Sequence, residues 1–294
     1  MTLAEPARSP GAGGVAGQEI RLTPEVFRRI ARAVREYAGI SLPESKMALV
    51  QARLAKRLRA LGMTDFAPYC ALIEGRSDEA LAERQELITA ITTNVTRFFR
   101  EPHHFDMLRT RVLPPLIEHA RKGGRVRLWS AGCSTGEEPY SIALTMLDMA
   151  SDAGRHDIKI LATDLDRAVL ATANRGIYPE RALEAVPATL RKAHFQPRTE
   201  GNETGFAVGP AARALISFRQ LNLTLPFPMR GSFDVIFCRN VVIYFDAETE
   251  LSVWKAFSER LPPGGWLFVG HSERINTLAL PMFASDGVTS YRRL

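Results

Sequence analysis

From residue 124 onward the chain alternates short apolar runs with helical ones, and that rhythm leaves few folds open. Residues 126–130 are an apolar run leading into a glycine-containing turn, and 138–150 follow as a helix with an apolar face. Residues 158–162 read as a second strand ending at Thr163-Asp164, and 167–174 as a helix closed near Gly176. A buried strand over 233–238, a helix over 248–261 and a strand over 266–269 complete the series. This alternation predicts an α/β fold with a mostly parallel, Rossmann-like sheet covered on both faces. Ligands of such sheets bind at the C-terminal ends of the strands. Between 176 and 223 the rhythm breaks, and 206–208 and 216–220 read as strands of a small β insertion over about 177–221.

Upstream the periodicity is helical. Thr23-Pro24-Glu25 has the form of an N-cap followed by proline at the first helical position. Val26, Phe27, Ile30, Val34 and Tyr37 then recur at three- and four-residue spacing. Further helices are predicted from residue 43 or 44 to 61, from 66 to 74, and after Ser77-Asp78. The expected organisation is a tail over 1–19, an all-helical domain over 20–88, a linker over 89–101 and a larger α/β domain over 102–294. The Ala-, Gly- and Pro-rich tail lacks the apolar core of a signal peptide. No run approaches the roughly 18 to 20 apolar residues of a membrane span. Cys70, Cys133 and Cys238 form no CxxC pair, which suits a reducing cytoplasm. A net charge of +6 favours an acidic partner without choosing among nucleic acid, membrane and protein.

Polar residues gather where the strands end. In the turn from Ser130 to Glu138, Gly132 and Gly136 let the backbone bend sharply and approach a ligand. The spacing is GxxxG rather than GxGxxG, and Glu137 and Glu138 stand where a dinucleotide would place its phosphates. A ligand with a cationic amino-acid part fits better, and S-adenosylmethionine is one. Asp164 ends the second strand, where an acid commonly receives ribose hydroxyls, while Asp166 is the better helix cap. The buried strand over 233–238 delivers Arg239 and Asn240, with Tyr244 one helical turn later. Asn94, Thr96, Phe98, Phe99 and Arg100 lie in the linker and could lay amides, hydroxyls and a guanidinium across a cofactor. His103-His104 is expected to be structural, because adjacent residues do not share a helix face, and no metal is predicted.

Asn94-x-Thr96-x-Phe98-Phe99-Arg100, Gly136-Glu137-Glu138-Pro139-Tyr140-Ser141, Cys238-Arg239-Asn240-Val241 with Tyr244-Phe245, and Gly270-His271-Ser272-Glu273 together resemble, in order, the CheR family. The resemblance implies a class I S-adenosylmethionine-dependent methyltransferase domain behind a small all-α domain. It implies methyl transfer to glutamate side chains of chemotaxis receptors, with S-adenosylhomocysteine as product. By the same resemblance Asn94, Thr96, Arg100, Glu137, Asp164, Asn222, Leu223, Asn240 and Val241 should contact the cofactor, alongside the Gly132 turn. Arg100, Arg239 and Tyr244 should line the reacting end. The helix over 44–61 carries Lys46, Arg53, Lys56, Arg57 and Arg59 beside an apolar stripe of Val50, Leu54, Leu58 and Leu61. It resembles the receptor-contacting helix of that family, so glutamate-rich receptor helices are the expected partner of a cytoplasmic monomer. A nucleic-acid amino-methyltransferase would carry Pro-Pro-aromatic after the strand, where this chain has Val241-Val242. A relative that binds the cofactor without catalysis, as a sensor, is the alternative.

Overall fold

The computed structural model describes residues 21–201 and 203–294, so the tail expected over 1–19 lies outside the described residues. The upstream segment forms four helices, α1 (Pro24–Ala38), α2 (Met47–Ala60), α3 (Phe66–Glu74) and α4 (Asp78–Ile91). The Thr23 side chain accepts the Val26 amide, Pro24 opens α1 where no backbone donor is needed, and Gly39 closes it at φ 70°. Phe27, Ile30 and Val34 of α1 meet Leu54 and Leu58 of α2 and Phe66 and Tyr69 of α3 in one buried core. Their three- and four-residue spacings place them on single helix faces.

Two short helices, α5 (Pro102–Met107) and α6 (Leu113–Arg121), lead into the sheet domain. There β1 (Val126–Ala131), α7 (Glu137–Met149), β2 (Ile158–Asp164) and α8 (Arg167–Arg175) come first. The insertion follows with β3 (Ile177–Tyr178), α9 (Ala188–His194), β4 (Phe195–Glu200) and β5 (Glu203–Val208). Next are α10 (Pro210–Leu215), β6 (Ile216–Gln220), β7 (Val235–Cys238) and α11 (Ala247–Ser258). Last come β8 (Trp266–Val269), β9 (Phe283–Ser285) and β10 (Ser290–Arg293). One seven-stranded sheet runs in the order β6-β2-β1-β7-β8-β10-β9, with β10 alone running against the other strands, so that its pairings with β8 and β9 are antiparallel. Alternation along the central strands divides the core between two faces. Leu128, Phe237 and Phe268 pack on one face, and Trp129, Ile236 and Leu267 on the other.

The β insertion is smaller than the sequence suggests. Its antiparallel sheet β3-β5-β4 stops at Val208, and residues 216–220 form β6 at the edge of the main sheet, parallel to β2. Gly209-Pro210 starts α10, which carries the chain back across β2. Ile216 and Phe218, two residues apart, then turn one side of β6 toward the main core.

The helical domain is tied to the sheet at several points. The Ser41 amide donates to the Tyr244 carbonyl (2.7 Å), and Arg35 pairs with Asp246 (2.8 Å). The Asn222 side-chain amide donates to the Tyr37 carbonyl (2.7 Å). On the far side of the cleft, Thr89 and Asn94 donate to the two oxygens of Asp166 (2.9 and 3.0 Å). A single cleft between the domains results.

Candidate active site

A cavity of about 500 Å³ occupies this cleft, at the C-terminal ends of β1, β2 and β7. The volume is ordinary for a small-molecule site. Gly132, Asp164, Asn240 and Val241 line it from the strand ends, and Asn94, Thr96 and Arg100 from the linker. Leu223, Arg239 and Tyr244 line it too, as do Lys46 and Arg53 of the predicted partner-binding set.

The β1–α7 turn is built as a cradle. Gly132 stands at φ 79°, and a Cβ there would run into the Val241 methyl group. The Asp164 carboxylate accepts the amides of Ser134 (2.8 Å) and Asp166 (3.0 Å). Burial pushes its carboxyl pKa up, and those two amides pull it back. A carboxylate keeps lone pairs free for further donors, so the group can still receive hydroxyls. Asp166 caps α8 through the Ala168 amide (2.8 Å), which leaves Asp164 to the cavity. Around the turn the lining consists of Gly132, Ser134, Glu138 and Asp164. This acidic floor opposes a phosphate and suits the ammonium and sulfonium of S-adenosylmethionine.

Two expected contacts sit elsewhere. Glu137 is buried in the turn with its carboxylate on the Thr135 hydroxyl (2.7 Å), and its neighbour Glu138 reaches the cavity wall instead. Asn222 donates to Tyr37 and receives the Thr224 amide and hydroxyl, so its side chain is committed to domain docking.

Arg239 also departs from expectation. A side chain that holds a substrate carboxylate must reach solvent-accessible space, yet the side chain of Arg239 is only 2% exposed. Its Nε lies 2.9 Å from Glu138 Oε2, an ion pair without hydrogen-bond alignment. Its Nη1 donates to the Arg100 carbonyl (2.7 Å) and lies 3.1 Å from His104 Nδ1. Arg100 itself is half-buried at the cavity wall, with Nη1 donating to the Val95 carbonyl (3.1 Å) and, among the described residues, no carboxylate partner. The Tyr244 side chain is exposed at the mouth.

Glu273 is the functional residue that sequence reasoning quoted without a role. Its carboxylate accepts the amides of Asn240 (2.8 Å), Val241 (2.8 Å), Val242 (3.0 Å) and Gly270 (2.5 Å). It thereby shapes the end of β7 and holds Asn240 at φ 60°. The Gly270-His271-Ser272-Glu273 run was its only signal in the sequence. Glu101, His103 and His104 place ligand-type atoms within 4.8 Å of one another, but Arg239 donates to His104 Nδ1 and its positive charge opposes a second cation there.

The basic stripe on α2 divides. Arg53 donates to the carbonyls of Ile91 (2.5 Å) and Thr92 (2.9 Å), finishing the end of α4. Arg57 makes a two-pronged pair with the buried Glu83 (2.9 and 2.5 Å). Lys46, Lys56 and Arg59 stay exposed, and only these three project free charge outward.

Residues 25–92 match the family model described as CheR methyltransferase, all-alpha domain, and residues 94–287 match CheR methyltransferase, SAM binding domain. The chain is 49% identical over 255 residues to a probable chemotaxis protein methyltransferase of Rhizobium etli, covering 87% of this chain and 94% of that one. It is 41% identical over 275 residues to chemotaxis protein methyltransferase 2 of Pseudomonas aeruginosa, covering 93% and 95%. It is likewise 41% identical over 277 residues to the chemotaxis protein methyltransferase of Escherichia coli, covering 93% and 92%. With the two domain models together matching most of the chain and an acidic strand-end cavity suited to its cofactor, the chain belongs to the CheR family of S-adenosylmethionine-dependent chemotaxis methyltransferases.

Proposed function

We propose that the protein transfers methyl groups to glutamate side chains of chemotaxis receptors, acting as a monomer in the cytoplasm and not on nucleic acid. One observation carries this reading: the cavity lining combines carboxylates with cationic side chains. Glu138 and Asp164 supply the first, Arg100 and Lys46 supply the second, and the exposed Tyr244 side chain lines the same cavity. A positively charged donor and a carboxylate acceptor would each meet complementary charge.

S-adenosylmethionine, when bound, supplies an electrophilic methyl carbon whose bond to sulfur breaks as an acceptor oxygen bonds to it. Asn94, Asp164, Asn240 and Val241, which line the cavity, would hold it. An acceptor glutamate has a pKa of about 4.3 and is ionised near neutral pH, so no residue need remove a proton. Arg100 and Tyr244 serve to orient the carboxylate. Orientation and close approach are the main sources of rate. A strong grip by Arg100 would stabilise the ground state, because charge is lost in the transition state. The exposed Lys46, Lys56 and Arg59 favour approach of an acidic receptor helix.

The test is incorporation of labelled methyl into receptor-containing membranes, repeated with receptors whose candidate glutamates are replaced by alanine. The reading requires label on the first and loss of it on the second.

A further inference from the structure

Among the described residues the non-glycine positions with positive φ are Phe99 (50°), Glu101 (58°), Ser134 (49°), Asn240 (60°) and Thr289 (51°); Ser134 and Asn240 line the cavity, Phe99 and Glu101 flank its lining residue Arg100, and Thr289 bonds His104. Left-handed backbone is unfavourable for residues with a Cβ, and most of all for β-branched threonine. Such strain persists only where surrounding contacts over-determine it. Phe99 and Glu101 flank Arg100, so the turn that presents Arg100 is strained on both sides and must be held.

Three contacts hold it. The Phe99 amide donates to the Ser141 hydroxyl (2.9 Å). The Glu101 carboxylate accepts the His271 amide (3.0 Å). The middle contact is Arg239 Nη1 donating to the Arg100 carbonyl (2.7 Å). A guanidinium nitrogen can only donate, so His104 Nδ1, 3.1 Å away, must be the acceptor and Nε2 must carry the proton. That proton meets the Thr289 hydroxyl oxygen (2.8 Å), whose own hydrogen goes to the Val288 carbonyl (2.8 Å). Glu138, held by the Ser130 hydroxyl (2.6 Å), neutralises the guanidinium from the other side. The rings of Phe105 and Phe237 lie 5.8 and 5.9 Å from its central carbon. Each group in this chain has its donors and acceptors assigned by the next, which fixes Arg239 in one place.

We infer that Arg239 is a positioning residue for Arg100: locked by Glu138 and His104, it grips the Arg100 carbonyl and sets how the Arg100 side chain enters the cavity. The inference rests on the reading of Arg100 as a residue of the cofactor and transfer site. It gives Arg239 no contact with the receptor carboxylate.

The test is a double-mutant cycle on the full chain with R239K, R100A and the pair, read on S-adenosylmethionine affinity by calorimetry and on methyl transfer to receptor membranes. Lysine keeps the charge but cannot bridge the Glu138 carboxylate, the Arg100 carbonyl and His104 at once. R239K should lower affinity about tenfold and kcat about 30-fold, with the receptor KM unchanged. In the R100A background R239K should change neither affinity nor kcat, because its route of action is gone. Losses that multiply in the double variant, a raised receptor KM with normal kcat, or R100A of wild-type affinity beside a weakened R239K would each overturn the inference. If R239K does not fold, H104Q takes its place, with a smaller loss that must also vanish in the R100A background. Wild-type protein that binds the cofactor yet labels no receptor would sink the receptor reading alone, and the affinity cycle would still decide the role of Arg239.

Discussion

Glu273 fixes Asn240 from 33 residues away, accepting its amide at 2.8 Å while Asn240 holds φ 60° at the end of β7. The same carboxylate takes three further backbone amides, so it substitutes for the hydrogen bonds that the strand loses where it opens into the cavity. Removing it in Glu273→Ala strands several buried donors and should lower stability by about 3 kcal/mol. Cofactor affinity should fall as well, because Asn240 and Val241 line the site. Urea denaturation and calorimetry measure the two effects, and a variant as stable as wild type would contradict this role.

His104 makes stability depend on pH. Burial first, and then the neighbouring Arg239, hold its pKa down to about 3. The unfolded chain takes up this proton below its ordinary value of about 6.5, and the native state does not until much lower pH. Stability is therefore full above that value and declines as pH falls. From this residue the loss at pH 5 should be about 2 kcal/mol relative to pH 7. H104Q should flatten that part of the profile, and denaturation curves at several pH values will show whether it does.

Asn222 should act through docking and not through the cofactor. Asn222→Ala removes its bond to the Tyr37 carbonyl and should cost about 1 kcal/mol. Amide exchange of Ser41, which donates to the Tyr244 carbonyl across the same junction, should quicken. An unchanged exchange rate with weakened cofactor binding would restore the residue to the cofactor site.

On α2, two adjacent basic residues should behave differently. Lys56→Glu should leave the fold intact and reduce receptor binding, most at low salt, where an exposed charge is least screened. Arg57→Ala leaves the buried Glu83 without its partner and, since Arg57 is itself partly solvated, should cost about 2 kcal/mol of stability. Binding and melting measurements on both variants test the division, and equal effects on stability would contradict it.

The difference between these residues was not legible in the sequence. Arg53 and Arg57 fall on one wheel stripe with Lys46, but their partners Ile91 and Glu83 lie on another helix 38 and 26 residues along. The central strands were legible because strands buried on both faces are continuous apolar runs. The edge strand β6 was found but assigned to the wrong sheet, since its neighbour was decided by the α10 crossover and not by its own side chains. Strand β4 was missed: it is exposed from Gln196 to Glu200 and contains Pro197, so it shows neither apolar alternation nor β propensity. At the site, the residue types at the strand ends were readable, and their directions were not. Arg239 points inward because Glu138, His104 and two phenylalanine rings make a place for its charge, and those groups come from separate elements.

Transfer to a carboxylate forms an ester, and the chemistry of that bond distinguishes it from transfer to nitrogen. Receptor membranes labelled by the purified protein from methyl-labelled S-adenosylmethionine should release the label as methanol in mild alkali, because esters hydrolyse there. Label that stays on the receptor through alkali would mean transfer to nitrogen, and would contradict the assignment of glutamate as the acceptor.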